Sequence, residues 1–149
     1  PGSGLGAPLG AMVMIHDHAA RWLWQLRADA VSWAGRWAAG VSGYMEPGED
    51  PEAAVRREVR EELGLGDAGL VGLAPLALVT GGPDLGVMLA YAAGLHRAAR
   101  LRPDRDEVDA VAFRADPVDL PGELTVAAAE LWAALSGLGL RPAGRPGLG

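Results

Sequence analysis

Short apolar runs separated by polar or glycine-rich stretches occur along most of the chain, and their lengths are typical of β-strands. The first two runs, residues 11–17 and 21–27, are separated by a short polar stretch, which predicts a hairpin. The first run is short and mainly apolar and therefore predicts a buried strand. In the second run, alternate positions share a face: Trp22, Trp24 and Leu26 on one side, and Leu23 and Gln25 on the other.

Further strands are expected in the remaining apolar runs. Residues 29–43 are interrupted by glycines and predict a loop that leads into a short strand. Residues 70–80 and 85–95 are apolar and flank the turn sequence GGPD, whereas residues 97–106 form a charged loop. Residues 107–114 alternate between apolar and polar positions, which predicts a strand with one buried face.

Two helices are predicted. Asp50 can cap the first helix, Pro51 suits its first position and Gly64 provides the stop. This helix is therefore expected to cover residues 51–63. Residues 124–135 predict a closing helix. Its apolar side consists of Ala128, Leu131, Trp132 and Leu135.

The order of elements is strands, helix, strands, helix, which points to a mixed α/β or α+β sandwich and not to a regular βαβ chain. At 149 residues the chain suits one domain with one core. We expect that domain to comprise residues 11–139, with a flexible leader at residues 1–10 and a disordered tail at residues 140–149.

Composition narrows the functional classes. The net charge is −6 and all 13 basic residues are arginine, so no nucleic-acid partner is expected. A phosphate-containing substrate would need a cation to bridge two negative partners. No apolar run approaches the roughly 20 residues of a membrane span, so no membrane partner is expected. The absence of cysteine excludes disulfides and thiolate metal sites and favours a cytoplasmic location.

Three glutamates of the predicted first helix, Glu58, Glu61 and Glu62, border its apolar stripe and do not lie opposite it. Like charges at this spacing repel one another, and desolvation beside the stripe adds to the cost. A divalent cation would remove that conflict, because Mg²⁺ prefers hard oxygen ligands. The alternative is a solvated helix on which neighbouring arginines neutralise the glutamates, namely Arg56, Arg57 and Arg60.

The loop before this helix strengthens the metal interpretation. It contains the turn dipeptide Pro47-Gly48 and places Glu46 and Glu49 ahead of the helix amino terminus, where anions such as phosphate are favoured. Arg57 follows Glu49 by eight residues and can reach it through the turn as a bidentate partner. Such a pair would join the loop to the helix and fix the shape of the site.

Residues 43–65 resemble the Nudix box of the MutT-like hydrolases at every specified position. The pattern consists of Gly43, five residues, Glu49, seven residues, Arg57-Glu58-Val59, one residue, Glu61-Glu62, one residue, and Gly64-Leu65. The flanking order of strands is also similar to the α/β/α sandwich of that family, with its mixed β-sheet. A match of this length is far more specific than an ordinary short motif.

The resemblance implies a small-molecule nucleotide substrate and the metal-dependent hydrolysis of its pyrophosphate linkage, as in a nucleoside triphosphate. It also implies Mg²⁺, with Mn²⁺ as a substitute, which would polarise phosphoryl oxygens and lower the pKa of a bound water. The implied ligands are Glu58, Glu61, Glu62 and a backbone carbonyl near Ser42 or Gly43. Glu58 is the expected general base, and Arg57, paired with Glu49, is the expected orienting residue.

Some members of this family use a further acidic residue from outside the box. Glu107, at the start of a predicted strand after the charged loop, is our candidate, with Asp106 behind it. The alternative is an ordinary loop carboxylate that pairs with Arg102 or Arg105.

The substrate is less clearly specified. The box opens with Val41-Ser42-Gly43, where family members that act on nucleoside triphosphates often carry Pro-Gly-Gly. Hydrolysis of ADP-ribose or a nucleotide sugar is therefore an alternative, and so is a non-catalytic nucleotide-sensing role. The oligomeric state is open as well, with a homodimer as one option.

Aromatic residues and histidines offer further candidates. Trp33 and Trp37 precede the box and could stack on a base, with core packing as the competing interpretation for both. His16 and His18, at the end of the first strand, could contact a phosphate or simply be solvated. His96 carries no functional signal.

Overall fold

Seven strands, two α-helices and two short 3₁₀ helices (Asp67–Gly69 and Pro117–Asp119) form the described part of the chain, which in the computed structural model comprises residues 9–29, 34–80 and 86–139. The strands are β1 (Leu9–His16), β2 (Trp22–Arg27), β3 (Trp37–Ala39), β4 (Val41–Tyr44), β5 (Leu70–Thr80), β6 (Val87–Leu95) and β7 (Val108–Arg114). The helices are α1 (Pro51–Leu63), between β4 and β5, and α2 (Val126–Gly137), after β7. Among these residues, neither helix is long and apolar enough to cross a membrane.

The observed elements follow the predicted order. Helix α2 covers residues 126–137 and not 124–135, and the strands differ from the prediction at two places. β1 begins at Leu9, inside the segment predicted as a flexible leader, because Leu9 pairs with Val87 of the neighbouring strand. The glycine-broken segment 29–43 contains two short strands, not one, because Gly40 adopts a φ of 53° and turns the chain between them. Residues 1–8, the GGPD turn and the predicted tail lie outside the described residues.

β1 lies at the centre of a mixed sheet. It pairs parallel with β6 along all 8 of its residues, and its first half pairs antiparallel with β4. β5 pairs antiparallel with β6. β2 meets β1 only where His16 faces Trp22, and it pairs antiparallel with β7 and β3. The sheet is therefore mixed, as expected from the sequence.

Successive residues of β1 alternate between two hydrophobic cores, one on each face of the sheet. The α1-side core joins β1 to α1 and includes Ala11, Val13, Ile15, Val55, Val59 and Leu63. The α2-side core joins β1 to α2 and includes Met12, Met14, Ala128, Leu131 and Leu135. One helix covers each face, which confirms the expected α/β/α sandwich.

The predicted alternation of β2 is also present. Trp22 and Trp24 belong to the α2-side core, whereas Leu23 belongs to the α1-side core. Gln25 is buried and donates through Nε2 to the backbone carbonyl of Gly40 at 2.6 Å. That hydrogen bond satisfies the buried amide and ties β2 to the turn that leads into β4.

Both ends of α1 carry the expected caps. The Asp50 carboxylate accepts from the backbone N–H of Ala53 at 2.7 Å, which satisfies one of the free donors of the first turn. Gly64 ends the helix with a φ of 68°, and its N–H donates to the carbonyl of Arg60 at 3.0 Å. The helix therefore starts and stops at the residues that the sequence indicates.

α2 begins at a similar cap and packs through its predicted apolar side. Thr125 Oγ1 accepts from the N–H of Ala128 at 3.0 Å. Trp132 is partly buried and meets Trp24 edge-on, with ring centroids 5.5 Å apart. This contact fixes α2 against the sheet.

Gly64→Ala should destabilise the protein. The new Cβ would sit on a left-handed backbone, 2.7 Å from Cβ of Arg102 and 3.0 Å from its carbonyl oxygen. We expect the free energy of unfolding to fall by about 1–3 kcal/mol, measured by urea denaturation. Gly137→Ala in α2 is the matched control, because no atom lies within 4 Å of its added Cβ. An equal loss in both variants would contradict the prediction.

Candidate active site

The side chain of Glu62 is buried against the α1-side core, and the residue is 9% exposed. It lies on the buried side of α1, next to Val55 at the edge of the apolar stripe. Its Oε2 atom has no hydrogen-bond partner among the described residues. Burial, and then the charges of Glu58 and Glu107, raise the pKa of Glu62 to about 8. A carboxylate in this position is costly unless positive charge reaches it.

Glu58 lies one turn before Glu62 and packs over Gly43 of β4. A Cβ atom on Gly43 would lie 2.7 Å from Cγ of Glu58 and would overlap its carboxylate. Burial raises the pKa of Glu58, against the opposing effect of Arg57. The glycine that opens the box is therefore explained by the space that the Glu58 side chain needs.

Arg57 connects the loop before α1 to the carboxylates on the helix. Its Nε and Nη2 atoms donate to the two carboxylate oxygens of Glu49 at 2.8 and 3.0 Å, which confirms the expected bidentate pair. Nη1 donates to Glu58 Oε1 at 2.8 Å, and Nη2 also donates to the carbonyl oxygen of Tyr44 at 3.1 Å. The hydrogen bonds from Arg57 lower the pKa of Glu49 to about 2, and those to Glu49 raise the pKa of Arg57.

Glu46 and Glu61 occupy outer positions around the same guanidinium. Glu61 Oε2 lies 3.4 Å from Nη1 of Arg57, and Glu46 Oε1 lies 3.7 Å from Nε. The side chain of Glu61 is 57% exposed and that of Glu46 is 64% exposed, so these contacts are weaker than the pair with Glu49. The N–H of Glu46 donates to Glu49 Oε1 at 3.0 Å and helps to place that carboxylate.

The other two arginines of α1 turn away from the site. Arg56 contacts the carboxylate of Glu52 and the carbonyl of Asp67, and Arg60 contacts the Asp67 carboxylate at 3.1 Å. The alternative of a solvated helix, with its glutamates neutralised by neighbouring arginines, therefore does not describe Glu62.

The loop between β6 and β7 brings Glu107 towards the end of α1. The N–H groups of Arg102 and Asp104 donate to the carbonyls of Leu63 and Glu62 at 2.7 and 2.8 Å. Glu107 follows three residues after Asp104, and its charge raises the pKa of Glu62. In the described part of the chain, no ion pair joins Glu107 to an arginine of its own loop, which was the alternative interpretation.

A cleft of about 350 Å³ lies between the sheet and α2, on the opposite face of β4 from Glu58. Its apolar lining includes Met12, Met88 and Leu131, and its polar lining includes Arg27, Ser42, Tyr44 and Thr125. Ser42 and Tyr44 flank Gly43 on β4, so they face the cleft while Gly43 faces Glu58. The charge of Arg27 also lowers the pKa of Glu62, which places this arginine near both the cleft and the carboxylates.

Three residues of this cleft carry no functional signal in the sequence: Arg27, Tyr44 and Thr125. Arg27 ends an otherwise apolar strand, and Thr125 has the pattern of an ordinary helix cap. Tyr44 lies inside the box at a position that the motif leaves unspecified. Only the folding of β2, β4 and α2 around one cleft brings these three side chains together.

Trp37 is a core residue in this structure. It is 4% exposed and belongs to the α2-side core, so its ring is not available to stack on a base. Its backbone N–H donates to the carbonyl of Glu123, and its backbone carbonyl accepts from the N–H of Thr125. The core-packing interpretation is therefore the correct one for Trp37, and Trp33 lies outside the described residues.

The donor chemistry of the site fits a hard divalent cation. Every candidate side chain is a carboxylate, and the buried Oε2 of Glu62 has no hydrogen-bond partner among the described residues. Within the described ranges, no three His, Asp or Glu side chains are already arranged to hold one ion together. Glu58 instead directs Oε1 towards Arg57. The residues that could hold a cation are Glu58, Glu61, Glu62 and Glu107.

Comparison with known proteins agrees with this architecture. The model of the NUDIX domain family matches residues 6–135. The chain belongs to the NUDIX family. A crystal structure of a MutT NUDIX hydrolase from Burkholderia pseudomallei is similar, with a TM-score of 0.62 and 27% sequence identity. That similarity covers 82% of this chain and 92% of the Burkholderia chain.

Two bacterial relatives carry the name nucleoside triphosphatase NudI. The protein from Enterobacter sp. (strain 638) is 45% identical over 51 residues, which is 34% of this chain and 36% of that protein. The protein from Klebsiella pneumoniae is 52% identical over 42 residues, which is 28% of this chain and 29% of that protein. The chain thus matches only about a third of the length of either relative.

Arg57 and Glu49 should act as a unit in stability measurements. Glu49→Gln removes the negative charge from the bidentate pair, and Arg57→Lys keeps the positive charge but loses the planar fork. Because each substitution disrupts the bidentate contact between Arg57 and Glu49, the double variant should be little less stable than the worse single variant. Urea unfolding of all four proteins measures this coupling. Additive losses would contradict the contact geometry.

In the metal-free protein, stability should fall as the pH rises from about 5 to 8. The folded state retains a proton on Glu62 that the unfolded state releases above the ordinary pKa of 4.5, so rising pH favours unfolding. Glu58 contributes with the same sign. Glu49, with its pKa lowered to about 2, stays ionised throughout this range. We expect a loss on the order of 2–4 kcal/mol, measured by urea unfolding in EDTA.

Glu62→Gln should remove most of this pH dependence, because glutamine does not titrate. Glu130→Gln is the matched control, since Glu130 is exposed on α2. A wild-type stability that stays level or rises over the same pH range would contradict the prediction.

Proposed function

We propose that the chain catalyses the Mg²⁺-dependent hydrolysis of a phosphoanhydride linkage in a nucleoside triphosphate. The observation that carries this proposal is the buried carboxylate of Glu62. Its Oε2 lacks a hydrogen-bond partner among the described residues, and Glu58 and Glu107 both add negative charge around it. The chain also has a net charge of −6, so it has no excess positive charge of its own with which to hold a phosphate chain.

In this proposal, the carboxylates of α1 bind the metal ion, and one of them also accepts a proton. Glu61, Glu62, Glu107 and the backbone carbonyl near Ser42 or Gly43 are the proposed donors to Mg²⁺, with Mn²⁺ as a substitute, and Glu58 shares this role. When bound, the cation would polarise phosphoryl oxygens and lower the pKa of a water molecule. Glu58 is suited to accept the proton of the attacking water, because burial raises its pKa.

Arg57 serves as a positioning residue in this proposal. It donates to Glu58 Oε1, while its other nitrogens are held by Glu49 and by the carbonyl of Tyr44. The direction of the Glu58 carboxylate therefore depends on the loop before α1. Hydrolysis at phosphorus depends mainly on positioning and charge stabilisation, so this connection matters for the rate.

The cleft beside β4 supports a nucleotide as the substrate. Met88 and Ala127, which are partly exposed, offer apolar surface for a base, and the exposed side chains of Ser42 and Tyr44 offer polar atoms. Arg27 lines the cleft, and its positive charge lowers the pKa of Glu62. It is therefore placed to pair with a phosphate of the bound nucleotide. The similarity to the two NudI proteins favours a nucleoside triphosphate within this class.

Glu62→Gln should lower kcat/KM for the preferred substrate at least about a hundredfold, the usual effect of removing a group that stabilises charge at the reacting centre. The measurement is a product-resolved screen with Mg²⁺ or Mn²⁺. The panel contains nucleoside triphosphates, ADP-ribose, dinucleoside polyphosphates and nucleotide sugars. Glu130→Gln makes the same charge change on the exposed side of α2 and should retain wild-type activity.

Two outcomes would contradict the proposal. Turnover of ADP-ribose or nucleotide sugars, without turnover of any triphosphate, would leave the hydrolase chemistry intact and reject the substrate class. Saturable nucleotide binding with no product from any compound would instead favour a nucleotide-sensing role.

A further inference from the structure

All three histidines of the chain line a single cleft at the end of β1 that lies away from the box. This histidine cleft has a volume of about 420 Å³, and Asp17 and Arg97 also line it. Met12 of β1 pairs with Ser42 beside the box, and His16 follows four residues later. At about 3.3 Å per residue, the two regions are separated by roughly 13 Å along the strand.

The histidine cleft follows from the parallel pairing of β1 and β6. His16 lies opposite Gly94, so the segments that follow leave the sheet side by side and carry His18 and His96 with them. In sheets that contain parallel strands, ligands commonly bind at the carboxyl ends of those strands. A Cβ on Gly94 would lie 3.1 Å from Cε1 of His16, so the absence of a side chain there leaves room for the imidazole.

The cleft offers two hydrogen-bond donors, the imidazole of His96 and the guanidinium of Arg97. His96 Nδ1 accepts from the N–H of Ala98 at 3.0 Å, so the neutral ring carries its proton on Nε2. The guanidinium of Arg97 is exposed and has no ion pair or hydrogen bond within the described ranges. His16 Nδ1 donates to the carbonyl of Asp17 at 3.2 Å, which leaves Nε2 as an acceptor.

The charge of the cleft favours an anion. Asp17 carries the one carboxylate in the lining, and Arg21 contacts its Oδ2 through Nε at 2.9 Å and Nη2 at 2.7 Å. The N–H groups of Ala19 and Arg21 donate to Asp17 Oδ1 at 3.0 and 2.9 Å. With Asp17 neutralised in this way, Arg97 gives the cleft a positive charge. No set of three His, Asp or Glu side chains suited to a metal ion occurs here or elsewhere in the described residues.

We propose that the histidine cleft is a second ligand site, which binds a phosphate group, either free or as a monoester of a small molecule. Arg97 and the Nε2–H of His96 donate to the phosphate oxygens, and the Nε2 lone pair of His16 accepts from a protonated one. The volume lies within the range of small-molecule sites, so a phosphorylated ligand fits as well as the bare ion. This site is independent of the metal and of the hydrolytic reaction.

Imidazole NMR tests this proposal directly, because every histidine signal of the chain comes from the cleft. The full chain, labelled with ¹⁵N, is titrated with inorganic phosphate in EDTA at constant ionic strength, and in parallel with glycerol 3-phosphate. We expect saturable shifts of the His16 and His96 signals. Arg97→Gln should weaken the affinity about tenfold, as expected for the loss of a charge-assisted hydrogen bond. The tighter of the two ligands identifies the source of the phosphate group.

Arg100→Gln is the matched control, since Arg100 is an exposed arginine of the same loop that does not line the histidine cleft. It should leave the phosphate affinity within about twofold of the wild-type value, as expected for a surface charge without direct contact. Urea unfolding of both variants separates loss of binding from loss of structure. Non-saturable shifts, or equal weakening in both variants, would overturn the proposal.

Discussion

The burial of the Glu62 carboxyl group is the constraint on which the rest of the site depends. Its pKa of about 8 means that the free protein holds it mostly as the neutral acid at pH 7, at a cost on the order of 3 kcal/mol. Rotation of α1 would expose Glu62, but it would also expose Val55, Val59 and Leu63, which are at most 1% exposed. Burial of each of these side chains contributes about 1.5–3 kcal/mol, so the hydrophobic core holds the carboxyl group in place.

The same short segment holds another glutamate in the opposite electrostatic state. Glu49 has its pKa lowered to about 2, because Arg57 donates to both of its oxygens. Glu62 has no such contact, and its Oε2 finds no partner in the described residues. The amino-acid composition does not distinguish the carboxylates of Glu49 and Glu62. The difference arises because the Arg57 guanidinium points towards Glu49 in the loop before α1. The buried carboxyl group of Glu62 is therefore left to interact with a different positive charge.

Much of the fold could be predicted because local rules and tertiary structure agree. Asp50 and Gly64 end α1 where capping chemistry indicates, and the period of β2 separates Trp24 from Leu23 as expected. The prediction failed where long-range pairing decides the outcome. Leu9 joins a strand because β6 pairs with it, and the predicted loop contains two strands because Gly40, packed against the carbonyl of Val13, turns the chain between them.

The candidate site was predictable to the extent that its residues lie on one helix and the loop before it. The approach of Glu107 depends on hydrogen bonds from a distant loop to the carbonyls of Leu63 and Glu62, for which the sequence offers no local signal. The cleft residues Arg27 and Thr125 are nearly 100 positions apart, and only the packing of α2 on the sheet brings them together. A tryptophan near the box was a reasonable candidate for stacking, but Trp37 fills the α2-side core.

β1 explains why the two ends of the molecule can serve different ligands. Near its start, antiparallel pairing with β4 places Gly43 under Glu58, so the carboxylates of α1 lie near that end. At its finish, parallel pairing with β6 places histidines side by side around a positively charged cleft. The strand between them is buried on both faces and paired on both sides over its first half. Such a strand transmits little independent motion, so binding at one end should affect the other only through a shift of the whole sheet.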